Sequence, residues 1–419
     1  MPSAGQGKKT AGQRFNSHNH VGIDRKKQMT SSVKQLKEVI VLGAGVIGLT
    51  TAIKIQERGG YHVHVISEVL PSDPKSIKYT SHWAGAHHVS LAGDDVKQQK
   101  IDRETFDIMW KLSAPGCAAE GSFLRIQQEE YYGEEKAQPD PLEFMPDFKV
   151  LPQDSLVHPK AVHGISFRTI TIDVPAYLNY LLSRLLTAGA SVTRGTVQHI
   201  DQLVEGGAYP FTGTGAGPTP PDAIIVCVGL GARTLGGVED KEVFSMRGQT
   251  VLLRAPWVRF GRTISTKEGL WTYTIPRRRG DVIVGGTKAI NDWYPHPRPE
   301  TTRDILRRAL ELVPELAPPG SRSEHEPTVD DLLPLVVEEG CGLRPARNGG
   351  IRLEMEWAKA ARDSGRIPVV HNYGWAVSCS VHMIADRLHL CGRHGGYGYI
   401  SSWGSASVAL KLLEGALAE

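Results

Sequence analysis

A few short stretches of glycine, hydroxyl and cationic residues hold the chemistry this sequence can do. Gly43, Gly45 and Gly48 stand in G-x-G-x-x-G spacing after an apolar run, with Val46 and Ile47 between them, and Glu68 follows 20 residues after the third glycine. The first glycine permits a tight turn, the second lets a pyrophosphate approach the backbone, and the third lets a helix pack on a strand. A carboxylate at that distance accepts hydrogen bonds from a ribose, so the group points to a bound dinucleotide. Thr80 and Ser81 offer hydroxyls to phosphate oxygens, and Ala84, Gly85 and Ala86 are small enough for a flat ring to come close. His82, His87 and His88 stand in the same stretch, but no carboxylate or cysteine pattern completes a metal site. Arg344, Arg347 and Arg352 cluster in GLRPARNGGIRLE.

The elements that must position these residues follow from periodicity. Residues 39–42 are apolar and mostly β-branched, as in a buried parallel strand. A helix is expected over 49–57 and a second strand over Tyr61–Ser67, with helix N-terminal N–H groups free for phosphate. Residues 69–90 read as a loop broken by Pro71 and Pro74, and 103–113 as an amphipathic helix. The polar stretch 127–146 is expected to be irregular surface. A capped helix spans 173–190, and strands span 191–197 and 223–228 around a Gly/Pro/Thr loop at 204–221. Residues 245–253 are strand-like, and 269–286 read as two strands joined at 277–280. An amphipathic helix is expected over 301–316, and a glycine loop leading into a helix over 395–419.

Composition narrows the classes. A chain of 419 residues, 40% hydrophobic and 22% charged, reads as a globular protein of two domains. Its five cysteines form no C-x-x-C pair, which points to a reducing compartment and away from zinc. No apolar run is long enough to span a membrane. The net charge of +3 is misleading, because residues 1–36 carry seven Lys and Arg against one acid, Asp24. The rest of the chain is net acidic and is not expected to bind nucleic acid. The basic tail is expected to be disordered.

Taken together, VIVLGAGVIGL, SHWAGAHH, CVGLGARTLGG, RGQTVLL, YTIPR…VIVGGT, CGLRPARNGGIRLE, VVHNYG and HGGYGYISSWG, in that order, resemble the D-amino-acid oxidase and D-aspartate oxidase family of flavoproteins over residues 38–419. The resemblance implies an α/β fold: a Rossmann-type FAD-binding domain (37–90, 189–240 and 340–419) and a substrate domain on a mixed, twisted sheet (91–188 and 241–339). It implies FAD as cofactor, held by Gly43, Gly45, Val46, Ile47, Gly48 and Glu68 at the ADP half. Thr80, Ser81, Gly85 and Ala86 would lie along pyrophosphate and flavin, and Gly395, Gly396, Tyr397, Gly398 and Tyr399 against the isoalloxazine. Arg344 looks like the family's carboxylate clamp and Tyr273 its hydroxyl partner, with Gly396 accepting the substrate amine at its carbonyl. Arg347 and Arg352 are expected to be structural. The implied reaction is oxidative deamination of a D-amino acid, with O2 giving hydrogen peroxide. Lys288 stands where D-aspartate oxidases resemble one another in carrying a basic residue. With His87 as a further donor, it makes D-aspartate the expected substrate and a neutral D-amino acid the alternative. A homodimer is the candidate assembly, though no residue signals it. The family is often peroxisomal, but the chain ends Ala-Leu-Ala-Glu, so a cytosolic location is the alternative.

One departure is large. In the family HNYG runs into HGGYG, whereas here residues 375–393 separate them, with Cys379 and Cys391 inside. Excision leaves HNYGHGGYGYISSWG without a seam. The segment reads as a retained intron or mis-joined splice, to be checked by sequencing the transcript; the alternatives are a tolerated insertion or an inactive flavin-fold protein.

Overall fold

The computed structural model describes residues 36–89, 92, 95–136, 140–215, 217–359, 365–374, 376–377 and 397–419. Residues 1–35 of the tail, Gly395, Gly396 and all but two residues of the 375–393 segment lie outside this description.

The apolar run before the glycines forms β1 (Lys37–Leu42), and the turn passes into α1 (Val46–Arg58) and then β2 (Tyr61–Ser67). These are followed by α2 (Val96–Leu112), β3 (Phe123–Tyr132), β4 (Lys149–Val150), β5 (His163–Ile172), α3 (Val174–Thr187) and β6 (Ser191–Arg194). Two short helices, α4 (Asp201–Gly206) and α5 (Tyr209–Thr212), precede β7 (Ala223–Val226). Next come β8 (Val243–Arg254), β9 (Gly261–Ser265), β10 (Trp271–Pro276), β11 (Asp281–Gly285), β12 (Ala289–Ile290) and α6 (Pro299–Leu312). The last strands are β13 (Val336–Arg347), β14 (Arg352–Lys359), β15 (Arg366–Tyr373) and β16 (Ala376–Val377), and a C-terminal helix covers Gly398–Ala416.

Six strands form one sheet in the order β14-β15-β7-β1-β2-β6, parallel except for the β14–β15 hairpin. Both faces are covered, which is why β1 and β7 are apolar without alternation. Leu49 and Ile53 of α1, Leu178 and Leu181 of α3 and Leu413 of the C-terminal helix are fully buried together on one face. Burying each such side chain contributes about 1.5–3 kcal/mol. The C-terminal helix is also pinned by polar contacts: Trp403 Nε1 donates to the Tyr177 hydroxyl at 2.8 Å, and Gly404 N donates to Thr105 Oγ1 at 2.9 Å.

The second sheet is mixed: β16-β13-β8-β11-β10-β9-β3-β5-β4, with β12 paired to β8. Its back is closed by α6, whose Ile305, Leu306 and Ala309 pack on Val251, Val282 and Val284.

Several expectations need correction. Residues 127–132, expected to be irregular surface, belong to strand β3 inside the sheet. The four consecutive polar residues Gln127–Gln128–Glu129–Glu130 read as solvated, but Gln128 and Glu130 are buried and bonded to each other. The stretch 204–221 holds α4 and α5 rather than loop alone, because Leu203 and Val204 close the other face of the parallel sheet. Helices α2 and α3, read with the substrate domain, pack on the parallel sheet through Met109, Tyr177 and Leu178. Strand β13, read with the FAD domain from residue 340, pairs along β8 in the mixed sheet.

Candidate active site

A cavity of about 790 Å³ runs from the glycine turn after β1 to residues on one face of the mixed sheet. At one end, Gly43 has φ +105° and leaves no room for a side chain, since a Cβ would meet the Cys227 carbonyl oxygen at 2.5 Å. Gly45, without a Cβ, lies against Ser81, whose Oγ accepts the Val46 N–H at 3.1 Å. Ser67 Oγ accepts the Ala44 N–H at 3.1 Å, and the Tyr79 hydroxyl donates to the Ala44 carbonyl at 2.5 Å. Neither Ser67 nor Tyr79 stands out in the sequence. Helix α1 carries no acidic residue in its first turn, and its N-cap residue Gly45 has no side chain to cap it, so no negative charge of its own neutralises its dipole at the cavity.

Glu68 lines the same end and pairs with Lys78 at 2.5 Å. Its carbonyl accepts from Arg194 Nη1 at 3.0 Å, and Arg194 also grips Asp73 through two bonds of 2.7 Å. That guanidinium holds the Asp73 carboxyl down to about 2. Thr80 Oγ1 donates to the Leu343 carbonyl at 2.6 Å, tying this loop to β13 rather than leaving the hydroxyl open. Gly85 and Ala86 line the cavity, and Ala86 has φ +58°. Beyond them, Gly398 and Tyr399 close the wall, the Tyr399 hydroxyl donating to the Ser81 carbonyl at 2.9 Å; Tyr397 is buried beside them. The expected residues of the nucleotide end that are described therefore lie on or next to one elongated cavity. Its glycine cradle and uncapped helix fit a dinucleotide. Gly395 and Gly396 fall outside the described residues.

At the other end, β10 presents Trp271, Tyr273 and Ile275 to the cavity from one face. Tyr273 is buried, which raises its hydroxyl pKa, and the facing Arg344 guanidinium works against that rise. Arg344 arrives from β13 and is fixed by donating through Nη1 to the Thr287 carbonyl at 3.0 Å. Its guanidinium lies over Gly248 of β8, where any Cβ would overlap it. Burial lowers the Arg344 pKa, but an arginine stays cationic. Gly285 matters in the same way, because a Cβ there would meet the Tyr273 hydroxyl at 2.5 Å.

Lys288 is not on the cavity wall itself. Its Nζ lies 4.4 Å from the centre of the Trp271 ring, and Arg344 Cζ lies 5.6 Å from the same ring. Burial, and then repulsion from Arg344, push the Lys288 ammonium down to about 7. Arg308, unnoticed in the sequence, braces this corner from α6 by donating to Thr272 Oγ1 at 2.6 Å and to the Gly286 carbonyl at 3.3 Å.

His87 lines the cavity with its Nε2 3.8 Å from Glu130 Oε1. His82 and His88 point elsewhere, bonding the Pro71 and Asp102 carbonyls, so the three histidines do not converge. Among the described residues no group of His, Cys, Asp and Glu is placed to hold a metal, and no helix is long and apolar enough to cross a membrane. Arg347 pairs with Asp240 at 2.8 Å, and Arg352 with Glu354, Glu356 and the Tyr373 hydroxyl, away from Arg344.

A family model described as FAD dependent oxidoreductase matches residues 38–412. The chain is 36% identical to a D-aspartate oxidase of Cryptococcus neoformans var. grubii, across 92% of this chain and 98% of that protein. It is 33% identical to a D-amino-acid oxidase of Schizosaccharomyces pombe, across 81% and 90%. Among solved structures it resembles glycine oxidase from Bacillus cereus with a TM-score of 0.61 at 16% identity, covering 90% of this chain and 97% of that one. At that identity the likeness is one of fold.

Proposed function

We propose that this chain, which belongs to the FAD dependent oxidoreductase family, oxidises an acidic D-amino acid, D-aspartate foremost, to the 2-oxo acid and ammonia. FAD, when bound, would supply the hydride acceptor for the substrate Cα–H and the route of both electrons to O2 as hydrogen peroxide; the imino acid left after loss of a proton from nitrogen is hydrolysed by water to the 2-oxo acid and ammonia. Gly43, Gly45, Val46, Ile47 and Gly48 would hold its pyrophosphate, Glu68 its ribose, and Gly85, Ala86, Gly398 and Tyr399 its ring.

The chain's own contribution is positioning. The Arg344 fork takes both oxygens of the α-carboxylate, and the Tyr273 hydroxyl donates to the same group. Because Thr287 and Gly248 fix the guanidinium, little freedom is lost when substrate binds.

The observation that carries the acidic reading is the crowding of two cations, Arg344 and Lys288, against Trp271. Without substrate they repel, and Lys288 loses its proton readily. A substrate with two carboxylates relieves that repulsion; a neutral side chain relieves only half of it. The 36% identical D-aspartate oxidase supports this choice, while the D-amino-acid oxidase at 33% supports the general reaction. The test is anaerobic bleaching of the bound flavin by D-aspartate, D-alanine and L-aspartate. D-Aspartate should reduce it fastest. Faster reduction by D-alanine would remove the acidic preference, and no reduction by any D-amino acid would remove the activity.

A further inference from the structure

One aromatic ring touches all three side chains assigned to the substrate. Trp271 opens β10 and pairs with Ser265 of β9. It lines the cavity beside Tyr273, the two rings meeting edge-on with centroids 4.8 Å apart. Lys288 Nζ stands over the Trp271 ring at 4.4 Å and Arg344 Cζ at 5.6 Å. Both lie within the reach of about 6 Å at which an aromatic face attracts a cation, and tryptophan attracts most strongly. The backbone of the same residue holds the turn that carries the lysine. The Trp271 carbonyl accepts the Gly286 N–H at 3.2 Å and Arg308 Nη1 at 3.1 Å. Gly286 stands two residues before Lys288. Trp271 therefore fixes both the path of the chain to Lys288 and the surface on which its ammonium rests.

The charged groups at this corner are Lys288, Arg344 from β13 and Arg308 from α6. Arg308 is answered by Asp304 at 2.8 Å. Burial, and then Arg344, weaken the hold of Lys288 on its proton. The electron-rich ring face opposes both effects, because it favours the ammonium over the neutral amine.

We propose that Trp271 is a specificity-determining residue: its ring holds the Lys288 ammonium and the Arg344 guanidinium together, which makes the pair a receptor for two carboxylates rather than one. This rests on the acidic reading of the site. A neutral D-amino acid uses only the Arg344 part, so the ring shows itself in the ratio between substrates rather than in activity lost.

The experiment compares Trp271→Phe and Trp271→Leu holoenzymes with the wild type. Trp271→Leu removes the ring face and should raise the KM for D-aspartate about 10-fold, the scale of one desolvated cation–π contact. The KM for D-alanine should move by no more than about 3-fold, because Thr287 still holds Arg344. Trp271→Phe, a weaker ring, should fall between the two. Equal losses on both substrates, or phenylalanine as poor as leucine, would assign the ring to packing and overturn the proposal. In a Lys288→Met background, Trp271→Leu should leave the D-aspartate to D-alanine ratio unchanged; a further fall would overturn it, since the ring would then act without the lysine.

A second readout does not rely on turnover. Succinate has two carboxylates and no amine to oxidise. Its dissociation constant, from calorimetry across pH, should rise as Lys288 loses its proton. In Trp271→Leu the midpoint of that rise should move to lower pH by about 1 pH unit, and a midpoint that stays put would overturn the proposal. Should Trp271→Leu not fold, Trp271→Phe carries both readouts, with smaller changes in the same directions. If the wild type prefers D-alanine, the acidic reading fails by itself, and the succinate midpoint still decides the part of Trp271.

Discussion

On the proposed reading substrate choice turns on Lys288, and its charge is the property to test. Lys288→Ala should lower kcat/KM for D-aspartate about 100-fold, since a buried carboxylate that loses its partner costs a few kcal/mol. D-Alanine turnover should stay within about 3-fold, because Arg344 and Tyr273 are untouched. Equal losses on both substrates would assign Lys288 to structure. The pH dependence has a definite sign. With its ammonium pushed down to about 7 in the free site, Lys288 is charged below that pH and neutral above it. The KM for D-aspartate should therefore climb as pH rises through 7, while that for D-alanine stays flat. Lys288→Arg should flatten the D-aspartate profile, because guanidinium keeps its proton. For folding the same depression works the other way: the unfolded lysine holds its proton up to about 10.5, so this residue's cost to stability is present below 7 and fades as pH rises toward 10.5. At this scale the glycines, Tyr273 and Arg344 were legible because ordered motifs contain them, and Lys288 because it directly follows one. Glu130 and Gln128 were not, since a run of Gln and Glu reads as solvated until strand register shows that two of the four face inward.

Strand β8 sets the place of Arg344, the proposed carboxylate clamp, through what it lacks. Gly342 of β13 pairs with Gly248, and Arg344, two residues on, folds its guanidinium back over that glycine. Gly248→Ala should displace the fork and reduce kcat/KM for D-aspartate and D-alanine together, by at least about 10-fold, one charged hydrogen bond. The melting temperature should move by only a few degrees (about 1 kcal/mol of overpacking). Loss of one substrate alone would mean the fork had not moved. Acid stability belongs to elements as well. His64, His82, His88, His158 and His371 are all pushed down by burial, His88 to about 3 where its loop meets α2. Their folded forms are neutral, so their contribution to stability is complete above 6.5 and is lost as pH falls and the unfolded chain takes up protons. Thermal melts should drop steeply from pH 7 to 5, and His88→Gln should remove about 1.4 kcal/mol per pH unit from that slope. An unchanged slope would mean that His88 titrates alike folded and unfolded. A long periodic segment such as α3 was readable in the sequence because one apolar face decides it. Domain membership was not, because α2 and α3 each stand at a passage between the two sheets in sequence, and only packing shows that both belong to the parallel one.

For the molecule as a whole, the departure at residues 375–393 decides whether this chain works as it stands. The two elements that flank it, β15 and the C-terminal helix, touch. Gly374, just past β15, and Gly398, opening the C-terminal helix, line the same cavity, and Asn372 Nδ2 donates to Ser405 Oγ at 3.3 Å. Removal of 375–393 would leave His394, Gly395 and Gly396 to join Gly374 to Tyr397, a reach of about 14 Å fully extended. Shortening a connection that already joins neighbours changes closure entropy little, about 0.6 kcal/mol per halving of length. The deletion should therefore fold with a melting temperature within a few degrees of the full chain. It should also hold FAD more tightly, since it rejoins HNYG (371–374) to HGGYG (394–398), the glycine stretch proposed to lie against the flavin ring. Flavin fluorescence quenching on titration of apoprotein gives the two dissociation constants directly, without relying on turnover. Tighter binding by the deletion, together with mature transcript lacking the 57 nucleotides of the segment, would make it a splicing artefact. Equal or weaker binding by the deletion would make the segment a working part of this oxidase.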